Sequence, residues 1–230
     1  MSQAAAIRVV FLFDVDNTLL DNDRVISDLR RYLARSIGVE CADQYFRIFE
    51  ELRQELGYAD YLGALQRYRV AHPRDPHLLD ISSFLVDYPF ANRLFPGSLD
   101  AIERASAFGP TVVLSDGDVV FQPRKVERSG IRESVGGRVL IYVHKERELD
   151  DVEGRYPGEH YVLVDDKIRI LSAVKRVWGP RVTTVFPKQG HYALALDVGT
   201  YPAPDVTIER IGDLATMDLA FLRDPATNAS

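Results

Sequence analysis

FLFDVDNTLL, residues 11–20, joins an apolar segment to two closely spaced carboxylates. The run from Ile7 to Phe13 is apolar except for Arg8 and does not alternate, which is typical of a strand buried on both faces of a parallel sheet. Asp14 and Asp16 follow where that strand should end. In an open parallel sheet the ligand crevice lies at the carboxyl ends of the strands. The pair is therefore a candidate site, or else an ordinary loop, since Asp and Asn favour turns.

Length and composition fit a globular protein of one large or two modest domains, with 230 residues, 46% hydrophobic and 27% charged. The net charge of -6 gives no electrostatic basis for binding nucleic acid or an anionic membrane, so neither partner is expected; the oligomeric state stays open. The first apolar run is far shorter than the roughly 20 residues of a membrane-spanning helix, and no basic region precedes it. A cytoplasmic protein is expected.

Beyond Leu20 the apolar residues change from the spacing of a strand to that of helices. Helices are predicted over 25–37, 43–56, 60–70 and 76–85. Asp75 is predicted to cap the last of them, with Pro76 at its first helical position. Residues 21–93 contain no convincing strand pattern, which indicates an all-helical insertion.

From Phe95 onward strands and helices alternate. Further strands are predicted at 111–114, 139–143, 161–164, 181–186 and 206–208. This alternation predicts an α/β fold with a doubly wound parallel sheet. We expect a discontinuous α/β core of residues 1–20 and 94–230, with residues 21–93 forming a small all-helical cap domain.

Polar side chains follow four of the predicted strands. They are Asp14 with Asp16, Ser115, Lys145, and Asp165 with Asp166. In one parallel sheet these four strand ends lie at the same edge, which would place carboxylates, a hydroxyl and an ammonium together. That set of groups is suited to metal-assisted phosphoryl transfer.

The four motifs, in this order, resemble those of the haloacid dehalogenase-like hydrolase superfamily. The resemblance begins with DVDNT at 14–18 and covers nearly the whole chain, because the helical insertion matches a cap placed after the first motif. The chain departs from the pattern at two positions. Asn17 stands where many members have Gly, and Asp116 stands where Asn is frequent. The negative charge of Asp116 has no explanation in the pattern.

The resemblance implies a task for each residue that would handle phosphate. Asp14 would be the nucleophile, forming an aspartyl-phosphate. Asp16 would protonate the leaving oxygen and then deprotonate the water that hydrolyses this intermediate. Lys145 and the Ser115 hydroxyl would hold phosphoryl oxygens, and Gly117 would allow close approach of the backbone.

The resemblance also implies a Mg²⁺ cofactor. Its ligands would be the carboxylates of Asp14, Asp165 and Asp166, with the backbone carbonyl of Asp16. Thr18 is expected to stabilise the turn rather than to take part in the chemistry.

Two other lysines are alternatives to Lys145 as the phosphate-binding lysine. Lys125 lies far beyond the end of its strand, and Lys167 would begin the helix after the metal site. Lys145 is therefore favoured.

Asp16 restricts the choice of reaction within the superfamily that the chain resembles. The dehalogenase branch lacks an acid at this position, because halide leaves without a proton. We expect a Mg²⁺-dependent phosphomonoester hydrolase that acts on a small phosphorylated metabolite, since a cap can close over a small substrate. A phosphomutase would use the same residues and stays open. A non-enzymatic phospho-acceptor module is disfavoured, because in that fold the acidic pair lies on the first strand and the acceptor Asp in mid-chain.

Overall fold

The computed structural model describes residues 8–194 and 198–219. The strands in these ranges are β1 (Val9–Phe13), β2 (Thr111–Asp116), β3 (Val139–Tyr142), β4 (His160–Val164), β5 (Val182–Pro187) and β6 (Val206–Ile208). They form one sheet in the order β3-β2-β1-β4-β5-β6, and every neighbouring pair is parallel. The order runs outward from β1 in both directions, so the predicted doubly wound α/β fold is confirmed.

Helices connect these strands. Within the described residues they are α1 (Asn22–Ser36), α2 (Val39–Leu56), α3 (Tyr61–Ala71), α4 (Leu78–Asp87), α5 (Ser98–Ser106), α6 (Phe121–Arg128), α7 (Ile131–Ser134), α8 (Leu149–Arg155), α9 (Ile168–Trp178) and α10 (Asp213–Thr216). Short 3-10 turns lie at Phe90–Arg93, Lys145–Arg147, Gly179–Arg181, His191–Leu194 and Val198–Thr200. None of the described helices combines the length and apolar composition needed to cross a membrane.

β1 lies inside the sheet and is buried on both faces, as its unbroken apolar pattern predicted. Phe11 and Phe13 belong to one hydrophobic cluster, and Val10 and Leu12 belong to the cluster on the other face. Successive side chains of a strand point to opposite faces, so a strand with layers on both sides needs apolar residues throughout. Ile7, the first residue of the predicted strand, lies outside the described residues.

The helices α1–α4 are inserted between β1 and β2. Residues 21–93, all of them described, contain helices and turns and no strand, in agreement with the sequence pattern. The two ends of the insertion run side by side: Asp21 N–H donates to the Arg93 carbonyl at 2.7 Å, and Phe95 N–H donates to the Leu19 carbonyl at 3.0 Å. The hydrophobic cluster that contains Phe11 continues into the insertion. The limits of the two domains stay predictions, and the stretches 1–7, 195–197 and 220–230 of the predicted core lie outside the described residues.

Two helix starts differ from prediction. α2 begins at Val39, not near residue 43, directly after Gly38, whose φ is 86°. α4 begins at Leu78, so the predicted cap at Asp75 and first helical position at Pro76 were wrong. Instead, the Asp75 carboxylate accepts the His77 N–H at 2.9 Å and closes a turn before the helix.

Candidate active site

The carboxyl ends of β3, β2, β1 and β4 are neighbours, because these strands are adjacent in the sheet. The predicted convergence is therefore observed. Asp14, Lys145, Asp165 and Asp166 lie together at this edge, all of them buried. Ser115 ends the buried part of β2, one residue beyond the Leu114 carbonyl that Lys145 contacts.

Both oxygens of the Asp14 carboxylate have protein partners. Lys145 Nζ donates to Oδ1 at 2.5 Å, and the Thr18 hydroxyl donates to Oδ2 at 3.1 Å. The Thr18 oxygen also accepts the backbone N–H of Asp166 at 3.0 Å. Thr18 therefore does more than stabilise a turn. It fixes the orientation of Asp14 and ties the loop after β1 to the loop after β4.

Lys145 compensates the charge of this acidic cluster from its centre. The side chain is fully buried, and Nζ lies 2.6 Å from Asp165 Oδ2 and 3.1 Å from the Leu114 carbonyl. The contact with Asp165 is an ion pair between two fully buried side chains. Burial alone would lower the pKa of Lys145, but the charges of Asp14, Asp165 and Asp116 outweigh burial and raise it. Lys145 is therefore an ammonium ion at neutral pH.

Asp14, Asp165 and Asp166 could hold a metal ion. One carboxylate oxygen from each lies within 4.8 Å of the other two. Asp166 is fully buried, and neither of its carboxylate oxygens has a hydrogen-bond partner among the described residues. Burial, followed by repulsion from Asp14, raises the pKa of Asp166 well above its usual range. Burial also raises the pKa of Asp165, to about 6, despite the nearby Lys145. Buried carboxylates without partners are costly, and a cation between them would remove that cost.

The structure shows the contacts of the two residues that depart from the family pattern, Asn17 and Asp116. Asn17 has a φ of 60°, a conformation that Gly adopts easily and that Asn tolerates. Its side-chain oxygen accepts the N–H groups of Asn22 and Asp23, at 3.0 and 3.2 Å, at the start of α1. The carboxylate of Asp116 accepts the backbone N–H of Lys145 at 2.8 Å, and thereby holds the turn that carries that lysine.

Asp16 faces a different set of residues. Lys125 Nζ donates to Asp16 Oδ1 at 2.6 Å and to the Asn22 side-chain oxygen at 3.0 Å. Lys125 is fully buried. Sequence reasoning considered it only as a phosphate-binding lysine and missed this contact. Its helix follows β2 directly, which could have indicated that the first turns of α6 lie at the same sheet edge.

Gln122, on the same face of α6 as Lys125, was also missed. Its side-chain N–H donates to the Ser115 hydroxyl oxygen at 2.9 Å. Ser115 is therefore held in place before any substrate binds. A Cβ atom at Gly117 would lie 2.6 Å from the Gln122 Cβ, so this position requires glycine for packing. The predicted approach of the Gly117 backbone to phosphate stays a prediction.

A cavity of about 240 Å³ lies between the core and the insertion. Its walls include Asp16, Gln122 and Lys167 from the core, and Arg53 and Tyr58 from the end of α2 and the loop after it. Burial would lower the pKa of Lys167, but the charges of Asp14 and Asp166 outweigh it and raise this pKa. The cavity wall is therefore acidic at Asp16 and cationic at Lys167 and Arg53, which suits an anionic ligand with a group to be protonated.

Comparison with known proteins agrees with this geometry. The family model for haloacid dehalogenase-like hydrolases matches residues 9–177. A solved structure from Burkholderia xenovorans LB400, described as a haloacid dehalogenase-like hydrolase, is 62% identical; the match covers 92% of this chain and 99% of that one, with a TM-score of 0.88. No curated protein matches the chain.

More distant solved structures share the fold. The HAD-hydrolase YfnB from Bacillus subtilis, described as bound to magnesium, is 14% identical with a TM-score of 0.62, covering 91% of this chain and 98% of that one. The L-2-haloacid dehalogenase from Xanthobacter autotrophicus is 19% identical with a TM-score of 0.58, covering 91% and 97%. At such identities the likeness extends to the fold alone.

Proposed function

This chain belongs to the haloacid dehalogenase-like hydrolases and is an enzyme, and we propose that it is a Mg²⁺-dependent phosphomonoester hydrolase. Its proposed substrate is a small phosphorylated metabolite, neither a nucleic acid nor a membrane component. The reaction would pass through an aspartyl-phosphate on Asp14.

The observation that carries this proposal is the position of Asp16. Its side chain is 21% exposed and lines the cavity, whereas Asp14, two residues before it, is 2% exposed and belongs to the acidic cluster. A carboxyl group at the cavity wall, next to a candidate nucleophile, is where a leaving oxygen would need a proton. A carbon–halogen bond breaks without one, so Asp16 supports hydrolysis of an ester rather than of a halide.

The residues of this chain would divide the reaction as follows. Asp14 attacks phosphorus, and the bond to the leaving oxygen breaks as Asp16 gives that oxygen a proton. Water then attacks the phosphorus of the aspartyl-phosphate while Asp16 takes a proton from it, which releases inorganic phosphate and restores Asp14. Lys145 would balance negative charge on the phosphoryl oxygens and the Ser115 hydroxyl would donate a hydrogen bond to them, and both side chains are already fixed in place by their hydrogen bonds.

Mg²⁺ fits the donor set. The three candidate ligands Asp14, Asp165 and Asp166 offer only carboxylate oxygens, which hard cations prefer, and within residues 8–194 and 198–219 the carboxylate of Asp166 has no hydrogen-bond partner. When bound, the ion would neutralise negative charge where the anionic nucleophile meets the anionic phosphate.

The size of the cavity supports a small substrate. Its volume of about 240 Å³ is near the lower end of small-molecule pockets, which begin at roughly 300 Å³. The insertion forms one wall of the cavity, so a folded phosphoprotein would meet steric hindrance. Arg53 and Lys167 add positive charge that would favour an anionic metabolite.

Phosphate release from 4-nitrophenyl phosphate tests the proposal, with and without Mg²⁺, in the parent protein and in Asp14→Asn. We expect metal-dependent turnover in the parent and a loss of at least about a thousandfold in Asp14→Asn, as for other removed nucleophiles. Asp100→Asn, an exposed change on α5, is the matched control and should retain parental activity.

Three outcomes would contradict the proposal. Substantial metal-dependent activity in Asp14→Asn would remove Asp14 as the nucleophile. Chloride release from 2-chloropropionate without phosphatase activity would favour dehalogenation. With phosphorylated sugars as substrates, an isomerised sugar phosphate instead of free phosphate would indicate a phosphomutase.

A further inference from the structure

Within the part of the chain that the structure describes, the Asp16 carboxylate has one hydrogen-bond partner, Lys125. Lys125 Nζ lies 2.6 Å from Oδ1 of its carboxylate. Among the described residues, no hydrogen-bond donor contacts the other oxygen, Oδ2, and the Asp16 side chain borders the cavity. One oxygen is therefore fixed by a buried ammonium group, while the other is left to exchange a proton with a bound substrate.

Lys125 is itself held from the insertion. Its ammonium also donates to the side-chain oxygen of Asn22, the first residue of α1, at 3.0 Å. The Asn22 amide in turn donates to the hydroxyl of Tyr61, the first residue of α3, at 3.2 Å. Nζ lies 5.2 Å from the centre of the Phe121 ring and 5.9 Å from that of Tyr61. A flexible lysine side chain is thus confined to one position by hydrogen bonds and by two aromatic rings.

We propose that Lys125 is a positioning residue that aims the Asp16 carboxylate at the leaving group. It would do so only while Asn22 and Tyr61 of the insertion are docked against the core, so the orientation of Asp16 depends on the docked insertion. This inference rests on the proposed function, because it requires Asp16 to be the group that protonates the leaving oxygen.

A purely structural lysine would behave differently in one measurable respect. Loss of a structural ion pair lowers turnover of all substrates alike, by reducing the amount of correctly folded site. Loss of a residue that aims an acid matters most for substrates whose leaving group needs a proton. General acids contribute about 10²–10⁴-fold, and misplacement by about 1 Å can forfeit a factor of 10².

The experiment compares two substrates of similar size. Phenyl phosphate has a poor leaving group, phenolate, whereas 4-nitrophenyl phosphate has a good one, 4-nitrophenolate. We expect Lys125→Met to lower kcat/KM for phenyl phosphate about tenfold more than for 4-nitrophenyl phosphate. Asn22→Ala, which keeps the Lys125–Asp16 contact but removes its support, should show the same selectivity with a smaller loss. Lys175→Met removes the ion pair between Lys175 of α9 and Asp205, away from the cavity, and should not change the selectivity between the two substrates.

Asp16→Asn separates failure of the inference from failure of the proposed function. If Asp16→Asn is selective for phenyl phosphate but Lys125→Met lowers both substrates equally, Lys125 is structural and the inference is overturned. If Asp16→Asn also lowers both equally, Asp16 is not the acid and the inference falls together with that role. Thermal unfolding of each variant reports folding; should Lys125→Met not fold, equal losses for both substrates in Asn22→Ala would overturn the inference.

Discussion

Asp14 and Asp16 are two residues apart in the chain, yet they lie in different regions of the molecule. Asp14 is 2% exposed, and its partners Lys145 and Thr18 both belong to the core. The Asp16 side chain is 21% exposed, and its partner Lys125 is supported from the insertion. The acidic cluster around Asp14 is thus built by the sheet edge alone, whereas the group around Asp16 needs both parts of the chain.

The two regions should also differ in how much free energy a substitution costs. A buried charged network is stable only when every member is compensated, because an unpaired charge in a low-dielectric interior is costly. Around Asp14 the direct ion pairs come from Lys145, and Lys167 adds positive charge nearby. Neither carboxylate oxygen of Asp166 has a hydrogen-bond partner among the described residues. Around Asp16 solvent in the cavity can share the compensation. Substitutions should therefore cost more in the acidic cluster than at the boundary with the insertion.

The largest effect is expected from Lys145→Met. It leaves Asp14 and Asp165 without their shared cation, and breaking a buried pair in this way costs about 3–5 kcal/mol of unfolding free energy. Activity towards 4-nitrophenyl phosphate should fall by about 10²–10³-fold, because a fixed charge near the phosphoryl group is lost. Urea unfolding and kcat/KM measure the two effects.

Lys175→Met is the matched control for that change. Lys175 pairs with Asp205 at 2.7 Å, but its side chain is 38% exposed. We expect a cost of at most about 1 kcal/mol and no change in kcat/KM. Equal stability losses in the two variants would show that the acidic cluster does not depend on Lys145.

Asp166→Asn should separate metal binding from stability. Excess Mg²⁺ at about 100 times its Kd would stabilise the parent by about 2.7 kcal/mol, seen as a rise in Tm, and the variant should lose this rise. Without metal, the variant should be at least as stable as the parent, because the two buried carboxylate oxygens of Asp166 accept no hydrogen bond from the described part of the chain. Asp100→Asn should keep the Mg²⁺ effect; a full Tm rise in Asp166→Asn would contradict the assignment of Asp166 as a ligand.

Asp28→Asn tests the insertion, where a smaller cost is expected. The Asp28 carboxylate accepts hydrogen bonds from Tyr88 at 2.5 Å and from Arg93 at 2.7 Å, joining α1 to the end of the insertion. Burial alone would raise the pKa of Asp28, but these two partners outweigh it and lower the pKa. The substitution should lower the free energy of unfolding by about 1–2 kcal/mol at neutral pH.

The sign of the pH dependence follows from the lowered pKa of Asp28. The unfolded state binds the proton more tightly, so the stabilisation is complete above the ordinary pKa of 3.8 and is lost as pH falls through the folded value. Urea unfolding of parent and variant should therefore converge at acidic pH. Asp43→Asn, which removes an exposed pair with Arg30, should cost less than about 0.5 kcal/mol. A difference between parent and Asp28→Asn that persists in acid would contradict this account.

The smallest effect is expected from Asp116→Asn. The carboxylate accepts one backbone N–H, from Lys145, and an amide oxygen can accept the same bond. We expect kcat/KM to change by less than about threefold, and Asp116→Ala to cost about 1 kcal/mol of unfolding free energy as a lost cap. A tenfold or larger loss of kcat/KM in Asp116→Asn would instead assign the negative charge of Asp116 a role at the site.

The sequence pattern was sufficient to predict the sheet and the sheet edge at which the candidate site lies. An apolar run without alternation, such as 9–13, can be buried only between two layers, and parallel strands bring their carboxyl ends to one edge. The position of four residues at that edge could therefore be predicted, because each of them follows a strand: Asp14, Lys145, Asp165 and Asp166. The starts of α2 and α4 did not follow, because Gly38 and the turn at Asp75 depend on the chain around them.

Contacts between elements distant in the chain were decided by the tertiary structure. Local periodicity places Lys125 on a helix but cannot show that its ammonium reaches Asp16, 109 residues earlier. Likewise, no pattern shows that Asp116 holds the turn of Lys145, or that the Asp166 carboxylate lacks a hydrogen-bond partner in the described ranges 8–194 and 198–219. Residue type and spacing determine which groups the sheet edge can present. Packing brings separate segments within hydrogen-bonding distance. It therefore decides which of those groups pair with each other and which carboxylate is available to bind a cation.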